Sequence, residues 1–335
     1  MIGKNEPALL LRLRGGLGNQ LFEYAAGRAL ALRNRVPLWL DTTSGFCGDA
    51  FGRSYALGAF NVVYAGIQRV SSTDLGIRAE LFRRFVERRE LLRMRALGRY
   101  FDPAIYSLRI KRPTVLDAYC QAPGYFREIE ERLRQELEFR HRPLGLNHRT
   151  AGAILEANSV CLHVRRLLAR QADGSMRQSV ADFCGTCDME YYLRAIRELA
   201  SMYGRLGIFV FSDDVDWARQ HAGAFETEGC SVQVVDDDDP LRCFYLMRLC
   251  KHFIIAISTF SWWAAWLGGH AMKTVCVPPA WNRGERRLPR DLFPPGWRIV
   301  GAAAPSGADA GSVRPSGRAF LSPDNHAPDR SHTLS

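Results

Sequence analysis

Short apolar runs, each closing on a polar or charged cluster, alternate along the chain with stretches whose apolar residues recur at helical spacing. In the second half, Val160, Leu162 and Val164 alternate with Cys161 and His163, which predicts a buried strand with Arg165 and Arg166 at its end. Residues 206–211 predict a strand closing on Ser212, Asp213 and Asp214, and residues 230–235 one closing on Asp236–239 and Pro240. Residues 253–257 read as a buried strand opening onto Ser258, Thr259, Phe260 and Ser261, and residues 274–278 as a last strand. Helices are expected at 189–203, 241–250 and 262–267.

The first half has the same rhythm. A strand at 8–14 runs into Gly15, Gly16, Leu17, Gly18, Asn19 and Gln20, then into a helix with Leu21, Phe22, Ala25, Ala26, Ala29 and Leu30 on one face. A strand at 36–40 ends in Asp41, a further strand is expected at 114–120, and helices at 77–100 and 127–139. Strands alternating with helices argue for an α/β fold with parallel sheets. The stretch 141–147 breaks the pattern and sets the expected boundary between domains 1–145 and 146–301. Residues 302–335 lose apolar periodicity in Ala, Gly, Ser and Pro, and a disordered tail is expected there.

Charge narrows the choice of partners. Lys and Arg number 45 against 35 Asp and Glu, giving +10, which favours a nucleotide diphosphate, an acidic glycan or an anionic membrane surface. No helix-turn-helix, zinc finger or aromatic RNA-binding signature accompanies that charge, so no nucleic-acid partner is expected. The 77–100 stretch carries Arg78, Arg83, Arg84, Arg88, Arg89, Arg93 and Arg95 around Leu81, Phe82, Phe85, Leu92 and Met94. That is either a solvated face or a peripheral contact with an anionic membrane. Nine scattered cysteines form no disulfide framework and suggest a reducing compartment. The longest uncharged stretch, 253–269, is rich in Ser, Thr and Trp, so a spanning helix is not expected. The expected location is the cytoplasm, with peripheral attachment at the inner face of a bacterial membrane as an extension.

The polar clusters define a chemistry. In α/β proteins ligands bind beyond the carboxyl ends of the strands. Arg165 and Arg166 would there offer fixed forks of donors to phosphate, or would simply be solvated. Asp213 and Asp214 suit sugar hydroxyls or a nucleobase N–H, and equally suit helix capping. Ser258, Thr259 and Ser261 could hold phosphate oxygens or cap a helix. Four adjacent acids at 236–239 cannot all face one ion, and Pro240 signals a loop, so a solvated turn is preferred to a metal site. Cys184 and Cys187 form a lone pair with no second set, a weak zinc or redox signal. The glycine turn at 15–18 imitates a dinucleotide fingerprint, but Leu21 stands where the third glycine belongs, which disfavours an NAD oxidoreductase. What remains is a crevice for an anionic sugar or nucleotide.

Four blocks carry a likeness: Gly15-Gly-Leu-Gly-Asn-Gln-Leu-Phe22, His163-Val-Arg-Arg166, Phe211-Ser-Asp-Asp214 and Ser258-Thr-Phe-Ser-Trp-Trp-Ala-Ala-Trp-Leu267. In that order the chain resembles family 11 glycosyltransferases, the α-1,2-fucosyltransferases, over roughly residues 8–300. The resemblance implies two Rossmann-like domains facing a cleft, of GT-B type. It implies inverting, metal-independent transfer of L-fucose from GDP-fucose to the 2-hydroxyl of a terminal galactose on a glycan, with no cofactor. Arg165 and His163 would be catalytic. Arg166, Ser212, Asp213, Asp214, Ser258, Thr259 and Ser261 would bind the donor, and Gly16, Asn19, Gln20 and Glu23 would form the acceptor side. Glu23 and His163 are also candidates for the general base. Three departures from the family pattern, at Leu168, Cys184 and Ile257, each remove a polar or ionisable group. They keep open an alternative in which the protein binds a nucleotide sugar or glycan without efficient transfer.

Overall fold

The structure is a computed structural model that describes residues 6–47, 49, 51–68, 101–166, 169–170, 176–177, 186–227, 229–281 and 291–301. The expected basic helix at 77–100, Leu168, Cys184 and the tail from 302 lie outside the described residues. In chain order the first half gives β1 (Leu9–Arg12), α1 (Leu17–Asn34), β2 (Leu38–Asp41), β3 (Gly66–Gln68), α2 (Pro103–Tyr106), β4 (Thr114–Leu116) and α3 (Glu130–Glu136). The second half gives α4 (His148–Glu156), β5 (Ser159–Val164), the short strands β6 (Ala169–Arg170) and β7 (Met176–Arg177), α5 (Met189–Tyr203), β8 (Leu206–Ser212) and α6 (Val215–Phe225). It closes with β9 (Cys230–Val234), α7 (Pro240–Leu249), β10 (His252–Ile254), α8 (Thr259–Leu267), β11 (Val275–Val277) and β12 (Arg298–Ile299).

These strands form two parallel sheets, ordered β3-β2-β1-β4 and β12-β11-β10-β5-β8-β9, and β6 pairs antiparallel with β7. Counted from its own first strand, the larger sheet has the doubly wound order 3-2-1-4-5-6, and the smaller sheet has its first four positions. All six residues of β5 are buried, as expected of a central strand covered on both faces by helices. In open α/β sheets ligands bind at the mouth where the order reverses, which lies between β1 and β4 in one sheet and between β5 and β10 in the other.

Local chemistry sets the helix boundaries. Asp188 caps α5 by accepting the Tyr191 N–H at 2.8 Å, Asp214 caps α6 through Trp217 N–H at 3.0 Å, and Asp239 caps α7 through Leu241 and Arg242 N–H. The acidic run 236–239 is a helix-capping loop in which Asp237, Asp238 and Asp239 face Arg242 and Asp236 faces Arg219. Helix α8 begins at Thr259, three residues earlier than expected, so the Ser258–Ser261 block is its cap and first turn. The strand expected through residue 120 stops at Leu116, and the helix expected at 127–139 is a 3-10 turn followed by α3.

One hydrophobic cluster joins the two sheets, and a second packs α5 and α6 against the larger sheet. The centre of the first is aromatic: the Phe22 ring lies 4.6 Å from Trp262 and 5.0 Å from Trp263, and Phe126 stacks on Trp263 at 5.5 Å. Phe22 follows the glycine turn and the tryptophans follow the Ser-Thr-Phe-Ser block, so two of the four sequence blocks are packed on each other. Residues Met1–Ala302 form one compact unit. Among the described residues no helix is long and apolar enough to cross a membrane.

Candidate functional site

The site is the meeting of the two mouths. Beyond β1 the chain turns at Gly15, whose φ of +71° favours glycine, and Gly16 leads into α1 without a side-chain cap. Gly18 then abuts α8: a Cβ there would lie 2.4 Å from the Thr259 carbonyl carbon and 2.5 Å from Phe260 N. Only glycine permits this approach of the first turn of one helix to the first turn of the other. Asn19 ties the contact. Its Oδ1 accepts from Thr259 Oγ1 at 3.0 Å and from Gln121 Nε2, beyond β4, at 3.1 Å. Two helix N-termini, one from each sheet, therefore converge on one region, each with a positive dipole end.

On the side of the larger sheet, Arg165 and Arg166 leave the end of β5, and Asp213 leaves the end of β8 beside them, since Val164 pairs with Ser212. Asp213 Oδ1 accepts the Arg166 N–H at 2.7 Å, and its Oδ2 lies 3.5 Å from Arg165 Nε. Arg166 Nε lies 3.7 Å from Asp214 Oδ2, and its guanidinium sits 4.8 Å over the Trp217 ring. Ser212 Oγ accepts the Asp214 N–H at 3.0 Å. Ser258 caps α8, with its Oγ 3.3 Å from Phe260 N, and buried Ser261 donates to Ser258 O. The capping reading of Ser258 is the one seen in these hydrogen bonds.

His163 is enclosed, with Nδ1 buried and unpartnered and its ring 6.0 Å from Phe260. Burial, helped by the Arg165 charge, lowers its pKa to about 3, so it is neutral at ordinary pH and cannot serve as a proton donor there.

On the side of the smaller sheet, buried charges interlock. Arg12 donates to Asp117 at 2.9 Å and to Ser44, and Arg14 lies 3.5 Å from Asp117 and stacks on Tyr119 at 4.3 Å. Glu23 is fully buried; its Oε2 accepts the Arg14 N–H at 3.0 Å, and burial raises its pKa well above the usual carboxylate range. Glu23 thus braces the β1–α1 turn and does not present an open carboxylate. Gln20 is likewise buried and spent on Gly15 O, Ser54 O and Ala56 N–H. Gly16 and Asn19 are the acceptor-side candidates that stand at the meeting point. Arg12, Arg14, Asp117, Tyr119 and Gln121 escaped the sequence analysis. The signal available was the one used elsewhere, polar residues just past a predicted strand end, but β4 stops four residues short of where its pattern suggested.

Among the described residues no group of three or more His, Cys, Asp or Glu side chains is placed to hold a metal ion. Among the described residues the cysteines at 47, 161, 187, 230, 243, 250 and 276 are free thiols.

The family model for glycosyl transferase family 11 matches residues 102–300, more than half of the chain. The chain belongs to glycosyl transferase family 11. It is 28% identical over 298 residues to the alpha-1,2-colitosyltransferase of Escherichia coli, covering 86% of this chain and 97% of that protein. It is also 28% identical to the Escherichia coli O-antigen biosynthesis glycosyltransferase WbnK, over 82% of this chain and 95% of the relative. A shorter match, 32% over 99 residues, links it to the galactoside 2-alpha-L-fucosyltransferase SEC1 of Bos taurus, over 28% of this chain and 26% of that one. Among solved structures, an Arabidopsis thaliana FUT1 variant in complex with GDP shares the fold, with a TM-score of 0.51 and 14% identity over 94% of this chain and 81% of that one. Of the three departures from the family 11 pattern, Ile257 is described: it packs against the hydrophobic core just before Ser258, where an apolar side chain meets apolar neighbours.

Proposed function

We propose that this family 11 glycosyltransferase transfers L-fucose, or a closely related deoxysugar, from its GDP conjugate to the 2-hydroxyl of a terminal galactose on a glycan. The observation that carries the reading is the convergence at Asn19, where the mouth of each sheet supplies a helix N-terminus; the larger sheet also carries Arg165 at the end of β5, paired with Asp213. A donor diphosphate needs fixed positive charge where negative charge grows as the sugar leaves. Arg165 and the first turn of α8, with Ser258 and Thr259, are built for that end. The smaller sheet, with Gly16, Asn19 and the braced Arg14, faces it from the acceptor side. The relatives named for α-1,2 transfer support the linkage.

In this account the acceptor hydroxyl attacks the anomeric carbon from the face opposite GDP, the C–O bond to the diphosphate breaks, and configuration inverts. The acceptor proton passes to a base or to water. The leaving group is stabilised by guanidinium and backbone dipoles, so the reaction proceeds without a metal or other cofactor. The two sheets act as two Rossmann-like domains of GT-B type. Product analysis tests the reading: incubation with GDP-fucose, or with GDP-colitose, and a β-galactoside should give an α-linked sugar at the galactose 2-position by NMR. A β-linked product, or attachment at another hydroxyl, would contradict it.

A further inference from the structure

An arginine that stabilises a leaving group must be aimed, and residues 167 and 168, directly after the Arg165–Arg166 pair, are both leucine. The carboxylate comes from the neighbouring strand. Asp213 spans the gap between β8 and β5 with one oxygen for each arginine: Oδ1 takes the Arg166 backbone N–H at 2.7 Å and Oδ2 stands 3.5 Å from Arg165 Nε. Asp214 has separate work, capping α6 and facing Arg166 Nε at 3.7 Å while Trp217 covers the guanidinium. The two adjacent arginines are thereby sorted. Arg166 is packed into the β8–α6 turn, and Arg165, a quarter exposed, has Asp213 as its one ion-pair partner among the described residues.

We propose that Asp213 is the positioning residue for Arg165. It anchors the backbone just past β5 through the Arg166 N–H and holds the Arg165 guanidinium by its Nε edge. A guanidinium carries five N–H donors in a fixed fork, so one held at Nε keeps its four Nη hydrogens for a diphosphate. The partial exposure of both side chains, 28% and 22%, keeps the ion pair modest in stability, so its value lies in direction. This inference rests on the reading of Arg165 as the donor-phosphate residue. The competing use of Asp213 is a direct contact with the nucleobase, and the two uses differ in what GMP, which lacks the second phosphate, should feel.

The test is kinetics and equilibrium binding on Asp213→Asn, Asp213→Glu and Arg165→Ala. Asparagine keeps an oxygen for the Arg166 N–H and removes the charge facing Arg165. Positioning predicts that Asp213→Asn loses about ten- to a hundredfold in kcat. GMP affinity should stay within about twofold while the advantage of GDP over GMP shrinks, since only the second phosphate depends on the aimed guanidinium. Asp213→Glu should recover part of the loss, and serves alone if the asparagine variant does not fold. Because Arg165 already has its carboxylate, Leu168→Asp should change kcat by less than about threefold. Unchanged turnover in Asp213→Asn would overturn the proposal. So would equal losses of GMP and GDP binding, which would make Asp213 a nucleoside contact, or a gain above about tenfold in Leu168→Asp. If Arg165→Ala itself turns over normally, the donor reading fails first, a result separable from a failure confined to Asp213.

Discussion

His163 and His252 show what burial does to a titratable side chain in this molecule. Burial, with the Arg165 charge for His163 and with His270 and Lys251 for His252, lowers the two pKa values to about 3 and about 4. His252 is stacked on Tyr203 at 4.1 Å, and its Nδ1 accepts the Thr274 N–H at 3.2 Å, so the neutral ring is the one that fits. Unfolded, both would titrate near the ordinary histidine value of about 6.5. The folded state then binds fewer protons than the unfolded one below that pH, so their contribution is fully present above about 6.5 and is lost as pH falls toward the folded values. We predict that stability drops on the order of 3 kcal/mol between pH 7 and pH 4 through His163 alone, read by denaturant titration across pH. A His163→Gln variant should show a shallower acid dependence, and an equal slope would argue against this cause. The position of His163 was legible in the alternation of its strand. Its enclosure was not, because burial depends on Phe260 arriving from helix α8, nearly a hundred residues further along the chain. Gln20 and Glu23 are the same case: polar residues beside a glycine turn look like ligands until their partners at Ser54, Ala56 and Arg14 are placed.

Helices α1 and α8 meet at their first turns. Gly18→Ala would press a methyl against the Thr259–Phe260 peptide, with backbone rather than a flexible side chain in the way. Overpacking of this kind costs about 1–3 kcal/mol. A lowered thermal midpoint with weakened GDP binding is expected; a variant with unchanged melting would show that the helices are not in contact. Behind that junction Phe22 is completely buried against Trp262 and Trp263, so Phe22→Ala should cost about 3–5 kcal/mol, read by urea unfolding. Long elements with clear periodicity, such as α5, β5 and β8, agree with the pattern nearly to the residue. The strands β3 and β12, three and two residues long, carry no period to read. Helix α4 follows the break at 141–147 and is capped by Asn147, whose side chain accepts the Thr150 N–H at 3.0 Å, a signal present in the sequence and passed over.

The described residues build two parallel sheets, of strand order 3-2-1-4 and 3-2-1-4-5-6, joined where the first turns of α1 and α8 meet at Gly18. Alternation of strands and helices made the α/β class legible, and strand ends rich in Arg, Asp and Ser made the larger sheet's mouth legible. Strand order was not, because which strands neighbour in space is decided by packing between elements far apart in the chain. That order brings the four motifs together in pairs: Gly15–Phe22 and Ser258–Leu267 touch through Gly18 and Asn19, while the ends of β5 and β8 bring Arg165 beside Asp213. The central claim is that this site moves a sugar from a GDP conjugate. The most direct measurement is GDP release from GDP-fucose, with and without a β-galactoside, by the native protein and by Arg165→Ala. The account predicts acceptor-dependent release by the native protein and a loss of at least about a hundredfold in the variant, the scale expected when a leaving-group contact is removed. Release that ignores the acceptor, or a variant as active as the native chain, would contradict it.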